Sequence, residues 1–173
     1  MPSQWLYTAL VALVGLERLA ELVVAKRNLD HSLRLGGREY AFGHYPAMVA
    51  LHTGLLVGCV AEVWLGHRAF VPALGWPMLV LVVVGQALRW WCIRTLGTQW
   101  NTRIVVVPGL ERIGGGPYRW FAHPNYVAVV IEGFALPLVH SAWLTALAFT
   151  ALNALLLSVR IRAENVALAE AYA

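Results

Sequence analysis

The chain has 173 residues, of which 60% are hydrophobic and 13% are charged, and its formal net charge is +4. A soluble domain is about 45–50% apolar and about 25% charged, so this composition excludes an ordinary soluble protein and indicates a membrane protein. The length leaves room for one domain of four or five spans of about 20 residues each, without a large soluble domain.

Three apolar segments in the first part of the chain predict membrane-spanning helices. The first covers residues 5–24 and is followed by Lys and Arg residues, as expected where a helix leaves the membrane. A polar connector then leads to the second helix, at residues 45–65. The third helix is predicted at residues 71–91, with two prolines near its start, where proline is best tolerated.

The rest of the chain combines a mixed segment with a second apolar region. Residues 95–124 contain proline and a triple glycine, and we expect an interfacial segment with at most short helices. The following apolar run suffices for two short helices, at residues 125–138 and 141–159, and residues 160–173 form a polar tail. The sequence thus predicts an all-α polytopic membrane protein of about five transmembrane helices, the last two a tight hairpin.

Lys and Arg are concentrated in alternate connectors. The connectors after the first and third helices, together with the tail, hold Lys26, Arg27, Arg34, Arg38, Arg94, Arg103, Arg112, Arg119, Arg160 and Arg162. The other connectors hold only Arg68. Short cytoplasmic loops carry the excess of positive charge, so we predict an outside N-terminus and a cytoplasmic C-terminus. The net positive charge is then explained by the loops that face the cytoplasm and by attraction to anionic membrane lipids, and no nucleic-acid partner is expected.

Several charged residues interrupt the apolar segments, where each is costly unless it has a partner or a function. Glu17, Arg18 and Glu21 lie in the last turns of the first helix, and the like charges at i, i+4 favour structural ion pairs. Glu62, near the outer end of the second helix, is expected to be solvated or to extend its side chain towards the membrane surface (snorkelling). For Glu132, about two turns into the hairpin, a functional role and structural pairing are equally supported.

The histidines and glycines of the chain do not form a metal-binding or nucleotide-binding motif. His44 and His52 are able to share a helix face, but no third ligand lies close in sequence, so no metal site is predicted. The glycines at 114–116 follow a β-branched run at 104–107, yet the strand–turn–helix unit of a dinucleotide-binding fold is absent. A flexible interfacial turn is the better interpretation of these glycines.

Residues 116–126, Gly-Pro-Tyr-Arg-Trp-Phe-Ala-His-Pro-Asn-Tyr, place polar, aromatic and helix-breaking residues at the edge of the hairpin. With residues 160–168 of the tail and residues 96–103, this stretch resembles the signature region of the isoprenylcysteine carboxyl methyltransferase family, in particular its small bacterial branch. The resemblance covers the C-terminal half well and the rest loosely. It implies an integral methyltransferase of a bacterial inner (plasma) membrane, which uses S-adenosylmethionine without a Rossmann domain.

The resemblance implies which residues bind the cofactor, when the positions of the family motif are matched to this sequence. They are Tyr118, His123, Pro124, Asn125, Tyr126 and Glu164. One departure concerns the arginine that usually precedes the His-Pro pair, because Ala122 stands there. Arg119, or Arg160 or Arg162 from the tail, are candidates to supply the lost charge. A second departure is Asn165, where many relatives have another glutamate.

Methyl transfer from a sulfonium mainly requires that donor and nucleophile be held about 3 Å apart in a dry site. Aromatic faces attract such a cation, and a carboxylate such as Glu164 accepts hydrogen bonds from the cofactor. A carboxylate nucleophile needs no base, whereas for a phenol or enol His123 or Glu132 could take the proton. These two residues and Arg119 are the candidate catalytic residues. A tunnel between the hairpin and the first three helices would admit a lipophilic, isoprenoid or polyketide-like acceptor.

Two other functions remain open at the level of sequence. Membrane sterol reductases resemble the C-terminal region and use a similar His/Asn-Pro-Tyr constellation for NADPH, but the short chain and the lack of an extra basic pocket weigh against them. The intramembrane acids Glu17, Glu21 and Glu132 would also suit a non-enzymatic transporter or scaffold.

Overall fold

A computed structural model describes residues 2–40 and 42–172, and in this part of the chain five α-helices dominate. The helices are α1 (Pro2–Arg34), α2 (Tyr45–Leu65), α3 (Pro72–Leu96), α4 (Pro124–Leu138) and α5 (Trp143–Tyr172). By length and composition α2, α3 and α5 are able to cross a membrane, and α4 is a shorter apolar helix. The predicted polytopic, largely helical membrane protein is confirmed.

Three helices extend several residues beyond their predicted bounds, and α3 ends at Leu96 and not at residue 91. Helix α1 continues past residue 24 to Arg34, and α5 joins the predicted helix 141–159 and the tail 160–173 into one helix, apart from Ala173, which lies outside the described residues. The charges after residue 159 mark the end of the apolar stretch but do not end the helix. Ala, Leu, Arg and Glu are strong helix formers, and neither proline nor glycine interrupts the run.

The hairpin of α4 and α5 is confirmed, with its turn at residues 139–142, where Ser141 has a positive φ of 57°. Helix α4 has 15 residues and so is about 22 Å long, less than the roughly 30 Å of a bilayer core. A Cβ at Gly133 would lie 1.9 Å from the ring of Phe149, so glycine is required for α5 to pack closely on α4.

Glu62 is not solvated, contrary to expectation. Its carboxylate accepts hydrogen bonds from the backbone N–H groups of Leu144 (3.1 Å) and Thr145 (2.7 Å), in the first turn of α5, and it pairs with Arg68 at 2.9 Å. The first N–H groups of a helix have no partner within the helix, and a carboxylate there also complements the helix dipole. Glu62 therefore caps α5 and fixes it to α2.

The connectors at one end of the helices are joined by a small sheet that the sequence did not predict. Strand β1 (Arg38–Tyr40) pairs antiparallel with β2 (Ile104–Val106), and Arg38 lies opposite Val106. The side-chain amide of Asn28 on α1 also donates to the carbonyl groups of Gly97 and Trp100. The segments after α1 and α3 are thus held together beside the start of α4 and the end of α5.

Five charged residues of α1, α3 and α4 form one largely buried network: Glu17, Arg18, Glu21, Arg89 and Glu132. Arg18 pairs with Glu21 at 2.7 Å, and Arg89 on α3 pairs with Glu132 on α4 at 3.0 Å. Arg18 also lies 3.5 Å from both Glu17 and Glu132, and Arg89 lies 3.8 Å from Glu21. The prediction of ion-pair partners for the acids of α1 is confirmed, and Glu132 has structural partners on two other helices.

Candidate functional site

His123 directly precedes Pro124, the first residue of α4, and its ring stacks on Tyr126 with centroids 5.3 Å apart. Its Nδ1 lies 3.5 Å from Oε1 of Glu164, and its Nε2 lies 3.0 Å from Oδ1 of Asn165. Both ring nitrogens face acceptors, and the hydrogen bond to Glu164 raises the pKa of His123 above its usual value. The amide oxygen of Asn165 thus accepts a hydrogen bond from the His123 ring, as a glutamate at the same position would be able to do.

Arg160 and Glu164, one turn apart on α5, bind the hydroxyl of Tyr126 from two sides. Arg160 Nε donates to the Tyr126 hydroxyl at 2.8 Å, and that hydroxyl in turn donates to Glu164. Arg160 also donates to the carbonyl oxygen of Thr102. These hydrogen bonds join α4, α5 and the segment after α3 into one polar cluster.

The cluster borders two neighbouring cavities, of about 100 and 120 Å³, which share seven lining residues. We call them together the loop cavity and refer to them as its first and second lobes. Both lobes are lined by Tyr118 and Glu164. Of the predicted cofactor-binding residues, those that line the first lobe are Tyr118, His123, Asn125, Tyr126 and Glu164. Pro124 is buried and begins α4, and it is absent from the described lining of either lobe.

Three arginines line the loop cavity, whereas the sequence led us to expect no extra basic pocket. Arg103 and Arg160 border the first lobe, and Arg112 borders the second lobe together with Ala122. Arg119 is exposed and does not belong to the described lining of either lobe. Arg112 was not singled out from the sequence, where only its place in a mixed segment was visible.

A second cavity, of about 200 Å³, lies between the five helices and is here called the helix cavity. It shares four lining residues with the first lobe of the loop cavity, namely Trp100, Asn125, Tyr126 and Arg160. These four side chains form the boundary between the two cavities. Glu132 is not part of the described lining of either cavity, since its carboxylate is occupied by Arg89 and Arg18.

An open apolar groove of about 910 Å³ runs between α2 and α5, and Leu156 lines both this groove and the helix cavity. Exposed side chains such as Leu152 and Leu155 form part of its wall. From the sequence we expected a tunnel between the hairpin and the first three helices. The helix cavity has walls from all five helices, and the groove lies on the exposed side between α2 and α5.

The pair of His123 and Glu164 predicts a pH-dependent stability. Because folding raises the pKa of His123, its protonated ring stabilises the folded state. This stabilisation is complete at pH values below the ordinary pKa of histidine, and it is lost as the pH rises through the raised pKa of His123. In detergent micelles, His123→Gln should melt roughly 2–4 °C below the wild type at about pH 5.5, and the difference should shrink by about pH 9.

The control is His31→Gln, which changes an exposed histidine in the last turn of α1. Thermal unfolding followed by circular dichroism should give this variant the same melting temperature as the wild type at both pH values. If the difference for His123→Gln were equally large at both, the histidine would not hold its proton against Glu164.

Comparison with known proteins agrees with these features. The sequence model of the isoprenylcysteine carboxyl methyltransferase (ICMT) family matches residues 78–170, which include α4 and the cluster around Glu164. An uncharacterized protein of Bacillus subtilis (strain 168), YpbQ, is 39% identical over 166 residues, which are 95% of this chain and 98% of that protein. The chain is an integral membrane protein that belongs to the isoprenylcysteine carboxyl methyltransferase family, whose members are S-adenosylmethionine-dependent methyltransferases.

Proposed function

We propose that the protein is an S-adenosylmethionine-dependent methyltransferase that acts on a carboxylate or hydroxyl of a lipophilic, isoprenoid or polyketide-like acceptor. One observation carries this proposal: the polar loop cavity and the helix cavity meet at a boundary that includes Tyr126 and Arg160. A soluble cofactor and a lipid would thus approach the same side chains from opposite directions.

The residues of the loop cavity fit the chemistry of this cofactor. Glu164 offers a carboxylate to an ammonium or to ribose hydroxyls, and Tyr118 and Tyr126 offer ring faces to a sulfonium or an adenine. The indole N–H of Trp100 and the amide oxygen of Asn125 are buried without a hydrogen-bond partner, and both residues line the first lobe. Buried polar atoms of this kind are normally paired, so they suit a polar ligand.

S-adenosylmethionine, when bound, would supply a methyl group whose bond to sulfur breaks as the acceptor oxygen bonds to the methyl carbon, so that the neutral thioether is the leaving group. The protein's own part is to orient and to exclude water. Arg160 holds the hydroxyl of Tyr126, which in turn orients Glu164, and His123 holds a proton between Glu164 and Asn165. A carboxylate acceptor needs no further group, whereas a hydroxyl acceptor must also lose its proton.

We place the loop cavity on the cytoplasmic side of a bacterial inner membrane. All connectors that hold the clustered Lys and Arg residues lie at the end of the helices where the loop cavity is found. Short loops with such an excess face the cytoplasm. Protease accessibility of a tag after residue 173, in sealed inverted vesicles, tests this orientation, and a tag accessible only from the opposite face would reverse it.

Calorimetric titration of the purified protein with S-adenosylmethionine and with NADPH tests the proposed activity. We expect saturable binding of S-adenosylmethionine and transfer of its labelled methyl group to a lipid of the host membrane. Binding of NADPH alone would instead favour the reductase function, for which the arginines of the loop cavity would supply the basic pocket. Absence of both bindings would favour a transporter or scaffold.

Arg112 is expected to supply the positive charge that Ala122 lacks. Both residues line the second lobe, and the charge of Arg112 acts on His123. Arg112→Ala should weaken S-adenosylmethionine binding by about tenfold, as for one lost charged hydrogen bond, and adding Ala122→Arg should restore it. The control is Arg119→Ala, which changes an exposed arginine of the same segment. This variant should bind S-adenosylmethionine with the affinity of the wild type. Equal affinities of the Arg112→Ala variant and the wild type would contradict this role.

A further inference from the structure

Unpaired polar atoms are concentrated around the helix cavity. In the described part of the chain, eight buried side-chain nitrogen or oxygen atoms have no hydrogen-bond partner. Six of them belong to residues that line the helix cavity: Arg18, Glu21, Arg89, Trp100, Asn125 and Asn153. An unpaired buried polar group costs about 1–3 kcal/mol, so such groups normally have a partner. Their concentration in one cavity indicates that the partner is a polar ligand or water inside it.

The six atoms divide into two layers along the helices. Trp100 and Asn125 belong to the boundary with the loop cavity, while Arg18, Glu21, Arg89 and Asn153 lie deeper between the helices. The distance between the two layers follows from the number of residues that separate them along each helix. On α4 the boundary residue Asn125 precedes Glu132, the partner of Arg89, by seven residues, and on α5 Asn153 precedes Arg160 by seven.

Helix α1 repeats this spacing, because Glu21 precedes Asn28 by seven residues and Asn28 donates to the carbonyl oxygen of Trp100. Seven residues correspond to about 10 Å of rise along an α-helix. The seven-residue spacings on α1, α4 and α5 thus all place the deep layer about 10 Å from the boundary, farther into the membrane. A single small polar group is too short to reach both layers.

The deep layer offers both donors and acceptors. Its unpaired atoms are Nε of Arg18, Nε of Arg89, Oε1 of Glu21 and Oδ1 of Asn153. A hydroxyl group suits such a set, since it donates one hydrogen bond and accepts others. Most of the remaining wall is apolar, with Leu22, Val49 and Leu157 among its side chains, and it suits the hydrocarbon between two polar groups. Outside the deep layer and the boundary, the other polar side chains of the lining are Tyr45, His52, Thr53 and Thr102.

We infer that the helix cavity binds the acceptor at two points: its nucleophilic oxygen at the boundary, and a second hydroxyl, about 10 Å away along an apolar framework, at Glu21 and Asn153. This inference rests on the proposed methyltransferase function and names the substrate class within it. The acceptor is a lipid with two oxygen functions at a fixed spacing. The deep layer selects this lipid from the hydrocarbon chains of the bilayer, which carry no hydroxyl at that depth.

Matched fatty acids test the inference, with the protein in nanodiscs and saturated with S-adenosylhomocysteine, which has no methyl group to transfer to the probe. The probes are stearic acid and stearic acids with one hydroxyl on the fourth or the tenth carbon. A hydroxyl on the tenth carbon of an extended chain lies roughly 10 Å from the carboxylate, at about 1.2 Å per bond. The wild type should bind this probe about tenfold more tightly than the other two, as for one hydrogen bond to a charged group.

Two variants on α5 separate hydrogen bonding from packing. Asn153→Leu should reduce the preference for the tenth-carbon probe, because one of the two deep acceptors is lost while Glu21 remains. Leu157→Ala, which changes an apolar wall of the same cavity, should weaken all three while keeping the preference for the tenth carbon. The wild-type comparison stands by itself if Asn153→Leu fails to fold.

Equal affinities of the wild type for the three probes would overturn the inference and would indicate that water fills the deep layer. A lack of binding of every probe, while S-adenosylmethionine still binds, would overturn it as well. Both results would leave the proposed methyltransferase function intact. That function fails separately, if S-adenosylmethionine itself does not bind in the first titration.

Discussion

Glu164→Ala is expected to weaken S-adenosylmethionine binding by about 10- to 100-fold, which corresponds to the loss of one or two hydrogen bonds to a charged group. The carboxylate lines both lobes of the loop cavity, so a ligand that fills either lobe contacts it. It also accepts from Tyr126 and lies 3.5 Å from His123, and the variant therefore loses both the binding group and the support of its neighbours.

Calorimetric titration of four proteins measures this effect: the wild type, Glu164→Ala, Glu164→Gln and Glu170→Ala. Glutamine keeps the shape and one acceptor oxygen but not the charge, and its affinity should lie between those of the wild type and the alanine variant. Glu170 is exposed on the same helix, and its replacement should leave the affinity unchanged. Wild-type affinity in a folded Glu164→Ala protein would show that the cofactor binds elsewhere.

Local features of the sequence were sufficient to predict where the helices lie. Helix α2 occupies the predicted residues 45–65, because its apolar run ends at Gly66 with the polar His67 and the charged Arg68 beyond it. The hairpin was predicted because an apolar run of its length fits two short helices but not one. The ion pairs of Glu17 and Glu21 followed from the cost of unpaired charge in an apolar environment.

Other features depend on residues that are far apart in the sequence, and no local pattern reveals them. Glu62 caps a helix whose first turn lies more than 80 positions later, as its bond to Thr145 shows. The strand at residues 104–106 was visible only as a β-branched run, and its partner strand precedes it by more than 60 positions. The shared cavity of Arg112 and Ala122 is likewise not visible in the sequence, although these two residues are only ten positions apart.

The extension of α5 has a different cause. Charged residues after residue 159 correctly marked the end of the apolar stretch, but the end of a membrane span and the end of a helix are separate events. The helical continuation matters for the candidate site. Because Arg160 and Glu164 lie on one rigid helix, one turn apart, they are able to bind the same hydroxyl of Tyr126.

The largest effect on stability is expected at the buried pair of Arg89 and Glu132, which lie 3.0 Å apart with 7% and 5% of their side chains exposed. Arg89→Met leaves the acids of the network without one of their two arginines, and it should lower the free energy of unfolding by about 3 kcal/mol or more. Replacing both partners removes the unpaired charge as well, so the double variant Arg89→Met, Glu132→Met should recover most of this loss.

A double-mutant cycle, with unfolding in mixed detergent micelles as the measurement, isolates the coupling of the two residues. Arg94→Met, on an exposed position of the same helix, is the matched control and should change the free energy of unfolding by less than about 0.5 kcal/mol. S-adenosylmethionine affinity should persist in the folded double variant, because neither residue lines the described loop cavity. Additive effects of the two single changes would show that the pair is uncoupled, and Glu132 would then need another reason to be buried among the helices.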